Sequence, residues 1–180
     1  PEQGALTGVD LDLYDSAGVK LIFSATTDAT GAYQFKAFPT GASSIFYVRA
    51  DPATTTRYVD QFYNNKPDLA TATPVTVNRN QNKPNINFAL VLGGRITGTI
   101  TEQGVGPVAG MDLDLFDATT NTLIPAYNAK SDAAGAYTLG AVPPGTYKLR
   151  ADPDPATFLI RQYWNNQPDL LNATVITVTA

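Results

Sequence analysis

The feature that most constrains this sequence is an internal repeat with a period of about 101 residues, far longer than the unit of a solenoid. Segments of the first half return in the same order in the second half. The pairs are Gly8–Asp15 with Gly110–Asp117, Asp28–Tyr33 with Asp132–Tyr137, Arg49–Pro52 with Arg150–Pro153, and Gln61–Leu69 with Gln162–Leu170. A repeat of this length can hold a core of its own, so we expect two tandem domains, residues 1–92 and 93–180.

Within each repeat, apolar and polar residues alternate, which is typical of β-strands with one buried face. Turn signals separate these runs at about ten-residue spacing, as in all-β sandwiches. The turns are predicted at Asp28–Gly31, Pro39–Gly41, Asn78–Gln81 and Pro143–Gly145. The sequence therefore predicts an all-β chain of two tandem antiparallel β-sandwich domains.

The alternation also predicts which side chains form the two cores. In the first domain they are Val9, Leu11, Leu13, Phe23, Tyr33, Phe35, Phe46 and Val48, and in the second they are Met111, Leu113, Leu115, Tyr127, Tyr137, Leu139, Tyr147 and Leu149. A register error of one residue would expose a whole set together.

The composition excludes most enzyme classes. The sequence has no His and no Cys, and Glu occurs only at Glu2 and Glu102. Imidazole catalysis, thiol chemistry and the usual zinc sites therefore have no residues to build them. A net charge of −4 argues against a nucleic-acid partner, and no apolar run is long enough to span a membrane. We expect a chain that is not an enzyme and that needs no cofactor.

Four motifs of the second repeat resemble the carboxypeptidase regulatory-like domain, a family related to the B-type repeats of collagen adhesins. They occur in the family's order and are Gly94–Ile100, Pro107–Leu113, Asp132–Tyr137 and Pro143–Tyr147. The resemblance implies an immunoglobulin-like or transthyretin-like sandwich in both repeats. Modules of this family serve as stalks, spacers and accessory domains, so the resemblance says more about fold than about function.

The chain is cut out of phase with its repeat. Pro1 aligns with Thr101, so the first repeat has no counterpart of the opening strand, and the second has no counterpart of the strand expected at Asn85–Leu90. An unfilled strand position exposes apolar side chains and unpaired backbone groups. The chain is an excerpt of a longer array, or a subunit completed by strands from neighbouring copies, or, less favoured because an open core is costly, a fold whose strand order tolerates the loss. We expect Val175 and Val178 to contact such a neighbour or a missing segment.

Paired aspartates on one strand face are the first candidate site. They are Asp10 with Asp12, and Asp112 with Asp114. Calcium would need about six to eight oxygen ligands, so cross-strand ion pairs with Arg49, or with Lys148 and Arg150, are the favoured interpretation. The Asp-x-x-Gly turns are explained by carboxylates that accept backbone hydrogen bonds.

The second candidate site is an aromatic residue followed by two asparagines. An aromatic face beside amides can stack on a sugar ring and bond its hydroxyls, although Asn-Asn before Pro is also ordinary turn chemistry. The residues that could contact a glycan are Tyr63, Asn64, Asn65, Trp164, Asn165 and Asn166.

Three functions stay open from the sequence. The leading hypothesis is a non-enzymatic structural module of a secreted or cell-surface microbial protein, a rigid stalk or a fibre subunit that assembles head to tail with other copies. The alternatives are a carbohydrate- or calcium-binding adhesion module, and an accessory domain of a secreted hydrolase.

Overall fold

The computed structural model describes residues 4–36 and 42–179, and within these ranges the chain is all-β, with no α-helix. The same ranges therefore contain no candidate membrane-spanning helix. The turn predicted at Pro39–Gly41 lies outside the described residues. The strands are β1 Asp10–Tyr14, β2 Lys20–Thr26, β3 Ser43–Asp51, β4 Gln61–Phe62, β5 Val75–Asn78, β6 Gly94–Thr99, β7 Thr101–Glu102, β8 Gly106–Pro107, β9 Asp112–Asp117, β10 Leu123–Lys130, β11 Ala136–Val142, β12 Gly145–Asp152, β13 Gln162–Tyr163 and β14 Ile176–Val178.

The chain divides into two compact units, Pro1–Val91 and Leu92–Ala180. Each unit is built on one antiparallel sheet with the same strand order. The order is β2-β1-β3-β4 in the first unit and β10-β9-β12-β13 in the second, and a further strand, β5 or β14, pairs with β3 or β12. The repeat in the sequence thus appears as a repeat of topology, and the predicted all-β antiparallel fold class is confirmed.

The register of the central strand pair separates apolar from charged side chains. Leu11 lies opposite Ala50, and Asp12 lies opposite Arg49. Because neighbouring residues of a strand point to opposite faces, Leu11 enters the core while Asp12 lies on the other face. The second unit repeats this arrangement on β9 and β12, where Leu113 is opposite Ala151.

A second strand layer closes the core of the second unit. Strands β11 and β6 pair antiparallel, with Leu139 opposite Ile96. Both side chains belong to the same buried cluster as Leu113 and Leu149 of the larger sheet. This is the face-to-face packing of a β-sandwich, with the core between two sheets.

The first unit has no such strand pair among its described residues. The counterpart of β11, residues 32–36, forms no strand, and neither do residues 81–90. The strand expected at Asn85–Leu90 is therefore wrong for this structure. Ile86, Phe88 and Leu90 nevertheless pack against the core of the first unit. They do so as irregular chain, because no strand lies beside them to form a hydrogen-bonded ladder.

The predicted core is largely confirmed. The buried members are Val9, Leu11, Leu13, Phe46, Val48, Met111, Leu113, Leu115, Tyr137, Leu139, Tyr147 and Leu149. Partly buried side chains at Tyr33, Phe35 and Tyr127 pack on the clusters. The prediction that Phe23 belongs to the core is wrong, since Phe23 is 40% exposed. The pairing of β1 with β2 shifts register between Asp12 and Tyr14, and such a bulge turns the following side chain away from the core.

We expect Leu113→Ala to destabilise the second unit by about 2–5 kcal/mol, because it leaves a cavity in a packed core. Leu113 is 1% exposed. The only Trp of the chain, Trp164, lies in this unit, so urea unfolding followed by its fluorescence reports the unit directly. Leu171→Ala is the matched control, because Leu171 is 79% exposed and the same substitution there removes little packing. Equal losses in the two variants would contradict the core assignment.

Candidate functional site

Asp12 is a buried carboxylate held by two cations. Lys20 Nζ lies 2.8 Å from its Oδ1, and Arg49 Nη1 lies 3.7 Å from its Oδ2. The predicted cross-strand ion pair of Asp12 with Arg49 is confirmed, and it is a buried one, since the Asp12 side chain is only 5% exposed. Its Oδ2 accepts no hydrogen bond from the described residues, because the contact with Arg49 is too long for one. The hydrogen bond to Asp12 raises the pKa of Lys20.

Arg49 links this carboxylate to two more. Its Nη2 donates to Asp60 Oδ2 at 2.7 Å, and its Nη1 lies 3.3 Å from Asp51 Oδ2. Burial works to lower the pKa of Arg49, but hydrogen bonding to Asp60 and the nearby carboxylates raise it overall. Burial also raises the pKa of Asp51, against the opposing effect of Arg49. The cluster is an ion-pair network on the outer face of the sheet.

The second unit carries a simpler version of this network. Arg150 Nη2 donates to Asp114 Oδ2 at 2.7 Å, and its guanidinium carbon lies 5.1 Å from the centre of the Phe116 ring. Lys130 pairs with Asp112 at 2.5 Å. The predicted pair of Asp114 with Arg150 is confirmed.

Two of the candidate charged residues have other partners. Lys148 is 6% exposed and donates to Asn121 Oδ1 and to the carbonyl of Leu170, each at 2.9 Å. Asp10 accepts a hydrogen bond from Thr26 at 2.9 Å, and no ion pair joins it to a cation of the described residues. Among the described ranges, no three carboxylate side chains gather as a metal site would require. Asp12, Asp112 and Asp114 form ion pairs with cations of their own sheets.

The Asp-x-x-Gly turns use their carboxylates on the backbone. Asp28 Oδ1 accepts from the N–H groups of Thr30 and Ala32 at 2.8 and 3.0 Å. Asp132 Oδ1 does the same with Ala134 and Ala136 at 2.8 and 2.9 Å. Each turn ends in a glycine with positive φ, as a left-handed position favours.

Both Asn-Asn pairs form the tip of a tight hairpin. All four asparagines have left-handed φ between 56° and 67°, a conformation that Asn tolerates better than most residues. The amide of Asn64 reaches Thr73 Oγ1 at 3.5 Å, and that of Asn165 reaches Thr174 Oγ1 at 3.4 Å. Turn formation therefore explains the asparagines, and their contact with a glycan stays a prediction.

The aromatic residues of these two hairpins differ. Tyr63 is partly buried against the first core, and its ring lies 6.2 Å from Phe88. Trp164, its counterpart, is 48% exposed. The two residues differ in exposure because Phe88 packs against Tyr63. Two cavities indicate which further segments would cover the exposed surfaces of the two units.

The larger cavity, of about 1000 Å³, opens into the core of the first unit. Core side chains of β1 and β3 and the aromatic rings of residues 32–36 line it; they are Leu11, Leu13, Tyr33, Phe35, Phe46 and Val48. Their counterparts in the second unit form one buried cluster with Ile96 of β6. The cavity therefore lies where a strand equivalent to β6 would pack. We call it the opening-strand cavity.

The smaller cavity, of about 370 Å³, lies in the second unit and is lined by Tyr137, Trp164 and residues of β6 and β14. The counterparts of Tyr137 and Trp164 in the first unit, Tyr33 and Tyr63, both contact the ring of Phe88. The cavity therefore lies where a residue equivalent to Phe88 would pack. We call it the closing-segment cavity.

The two valines that we expected at an interface, Val175 and Val178, differ in exposure. Val175 is 47% exposed, whereas Val178 is 6% exposed. β14 pairs with β12 and carries Val178 into the core of its own unit, where Val178 also lines the closing-segment cavity. Contact of either valine with a neighbour or a missing segment stays a prediction.

Comparison with known proteins gives likenesses of fold alone. No family model matches the sequence, and no curated protein matches it significantly. The solved minor pilin GBS52 of Streptococcus agalactiae is 16% identical with a TM-score of 0.37, over 99% of this chain and 80% of that one. A Bacteroides fragilis protein assigned to cell adhesion is 11% identical with a TM-score of 0.30, over 99% and 77%.

The TIE protein of Bacillus anthracis is 13% identical with a TM-score of 0.31, over 83% of this chain. The present chain spans 25% of the length of that protein. The resemblance to the carboxypeptidase regulatory-like family stays a prediction, since no family model supports it.

We expect Asp114→Asn to destabilise the second unit by about 1–3 kcal/mol, because it removes the charged partner of a partly buried Arg150. Asp112→Asn is the matched control on the same strand, where the Lys130 pair is exposed and contributes about 0–1 kcal/mol. Urea unfolding measures both variants. The effect of Asp112→Asn should fall further at 1 M salt, since screening weakens exposed pairs at that ionic strength (about 3 Å Debye length). A larger loss for Asp112→Asn would contradict this ranking.

We expect the second unit to lose stability as the pH falls through the folded-state pKa values of Asp117 and Asp169. Backbone N–H groups of Thr120 and Thr119 lower the pKa of Asp117, and that of Asn172 lowers the pKa of Asp169, each below 3.8. A lowered folded-state pKa contributes stability above the unfolded value, and that contribution disappears in acid. Asp117→Asn should flatten the decline of the urea midpoint below pH 4. Identical declines in both proteins would contradict this account.

Proposed function

We propose that this chain is a non-enzymatic structural module of an extracellular or cell-surface microbial protein, in which neighbouring copies or repeats join head to tail by adding a strand to one another. The observation that carries the proposal is the opening-strand cavity of about 1000 Å³ in the first unit. Native cores contain few voids larger than a water molecule, so we expect a further strand to fill a space of this size that core residues line.

The second unit shows what kind of strand would fill that space. On β6, Ile96 is buried in the core, and Gly98 lies opposite Tyr137. A Cβ on Gly98 would lie 2.6 Å from the Tyr137 hydroxyl, so a side chain there would collide with the ring. Tyr33 is the counterpart of Tyr137 in the first unit. A strand that enters the opening-strand cavity therefore needs an apolar residue, then a small residue two positions later.

Residues 32–36 supply the backbone partner for such a strand. In the second unit the equivalent strand β11 pairs with β6 along most of its length. In the first unit these residues form no strand. Ala32 bonds to Asp28 through its N–H and its carbonyl, whereas the backbone groups of residues 33–36 have no hydrogen-bond partner in the described part of the chain and can form a ladder with an incoming chain. Addition of a strand to a sheet edge is a known mode of peptide recognition, with backbone bonds for affinity and side-chain pockets for specificity.

A contact of this kind is heterologous, because one end of a molecule meets a different end of the next. Heterologous contacts that do not close into a ring propagate as filaments. This geometry suits a stalk or fibre and uses no catalytic group, in keeping with a sequence without His or Cys. The motifs shared with the carboxypeptidase regulatory-like domain support the same role.

The experiment compares the chain with a version that carries its own opening strand. A copy of Gly93–Ile100 is placed before residue 1, where the repeat predicts it. We expect the unextended chain to form concentration-dependent linear oligomers, seen by sedimentation velocity and negative-stain electron microscopy. The extended chain should stay monomeric and melt at a higher temperature, because its own strand fills the cavity.

A second extension of equal length is the control, with Asp in place of the copies of Ile96 and Ile100. It should neither raise the melting temperature nor suppress oligomers, because charged side chains cannot enter the core without a large desolvation cost. An unextended chain that stays monodisperse at every concentration would contradict head-to-tail assembly.

A further inference from the structure

The first unit covers one face of its β4 hairpin with its own chain. Three residues spaced two apart, Val59, Gln61 and Tyr63, meet the segment Ile86–Val91 there. The N–H of Val59 donates to the carbonyl of Val91 at 2.9 Å, and Gln61 Nε2 donates to the carbonyl of Ala89 at 3.3 Å. Val59 and Gln61 are each 7% exposed as a result.

The aromatic contact completes this cover. The Phe88 ring lies 6.2 Å from Tyr63 and 6.3 Å from Tyr33, and Tyr33 donates its hydroxyl to the Ile86 carbonyl at 2.5 Å. Burial raises the pKa of Tyr33 to about 12. The segment thus binds through backbone carbonyls and one aromatic side chain that fits between two tyrosines.

The same face is bare in the second unit. The counterparts are Ile160, Gln162 and Trp164; Ile160 is 86% exposed and Trp164 is 48% exposed. Gln162 is exposed as well. We call these three residues, together with the closing-segment cavity, the closing face. Sequence reasoning named Trp164 but missed Ile160 and Gln162, which the two-residue spacing of a strand edge could have found.

The bare face is not a result of a different backbone. The N–H of Tyr63 donates to the Val48 carbonyl at 2.8 Å, and the N–H of Trp164 donates to the equivalent Leu149 carbonyl at 2.9 Å. The hairpin therefore sits in the same place on its sheet in both units. What differs is the presence of a covering segment.

We propose that the closing face is a docking site for one extended segment that covers no other unit and has the chemistry of Asn85–Val91. Its aromatic residue would fill the cavity of about 370 Å³ lined by Tyr137 and Trp164, as Phe88 fills the space between Tyr33 and Tyr63. Its carbonyls would accept hydrogen bonds from the Gln162 amide and the Ile160 N–H. This site rests on the proposed function and names the second of its two strand contacts.

The occupant is not the Asn85–Val91 segment of a second copy, because that segment already covers its own unit. If it moved to another molecule, it would make the same contacts there but expose Val59 and Tyr63 in its own unit, so the total buried surface would not increase. A segment that covers no other unit would gain this burial in full.

The probe is a synthetic peptide with the sequence of Gln81–Leu92, titrated into the chain by calorimetry and followed by the fluorescence of Trp164. We expect saturable binding with a blue shift of emission, because the peptide removes water from the indole. A peptide with Phe88→Ala should bind at least about tenfold more weakly, since a buried aromatic truncated to Ala costs several kcal/mol in a well-packed site.

Protein variants locate the site on the second unit. Ile160→Asp and Gln162→Ala should each weaken binding at least about fivefold, and because both side chains are exposed, neither substitution disturbs the core. Leu171→Ala is the matched control, an exposed apolar residue outside the cavity lining, and should bind the peptide unchanged.

The outcomes separate this site from the assembly proposal. No binding, or equal binding by Ile160→Asp, would overturn the docking site. A glycan array that selects sugars through Trp164, without an effect of Ile160→Asp, would also overturn it in favour of a carbohydrate site. Peptide binding by a chain that stays monomeric would support the docking site and contradict head-to-tail assembly of this chain alone.

Discussion

The structure depends on the antiparallel pairing of one central strand with its long neighbour, β1 with β3 and β9 with β12. The register of this pair sends Leu11 or Leu113 into a core and places an aspartate opposite an arginine on the outer face. Hydrophobic burial on one face and ion pairs on the other therefore come from one ladder. Because both faces are fixed by the same register, a slip of one residue would cost both sets of contacts together.

Both units contain this strand pair, but they differ in which surfaces around it are covered. The second unit closes its core with β6 and β11, yet leaves the closing face bare. The first unit covers the equivalent face with residues 86–91, yet its described residues leave the opening-strand cavity unfilled. Each unit therefore contains a contact that is missing from the other. The contact that is present in one unit indicates which kind of segment would complete the other.

The function that we propose rests on these uncovered surfaces and not on a cluster of reactive groups. The aspartates that a motif search would select are engaged by backbone N–H groups or by Lys and Arg side chains. Even the Asp12 carboxylate, buried between Lys20 and Arg49, has its charge balanced within the sheet. In the part of the chain that the structure describes, the open strand positions and the exposed Ile160 have no covering segment, and such surfaces favour recognition of extended chain.

The sequence by itself determined the repeat, the all-β class, most of the two cores, the Asp turns and the pairing of Arg150 with Asp114, because alternation and turn chemistry are local signals. Only the tertiary structure decided that a bulge exposes Phe23, that Lys148 bonds carbonyls, that Val178 is buried in its own unit, and that residues 85–90 form no strand. It alone showed that Ile160 is bare where Val59 is covered. These outcomes depend on which distant segments meet each residue, and no local pattern carries that information.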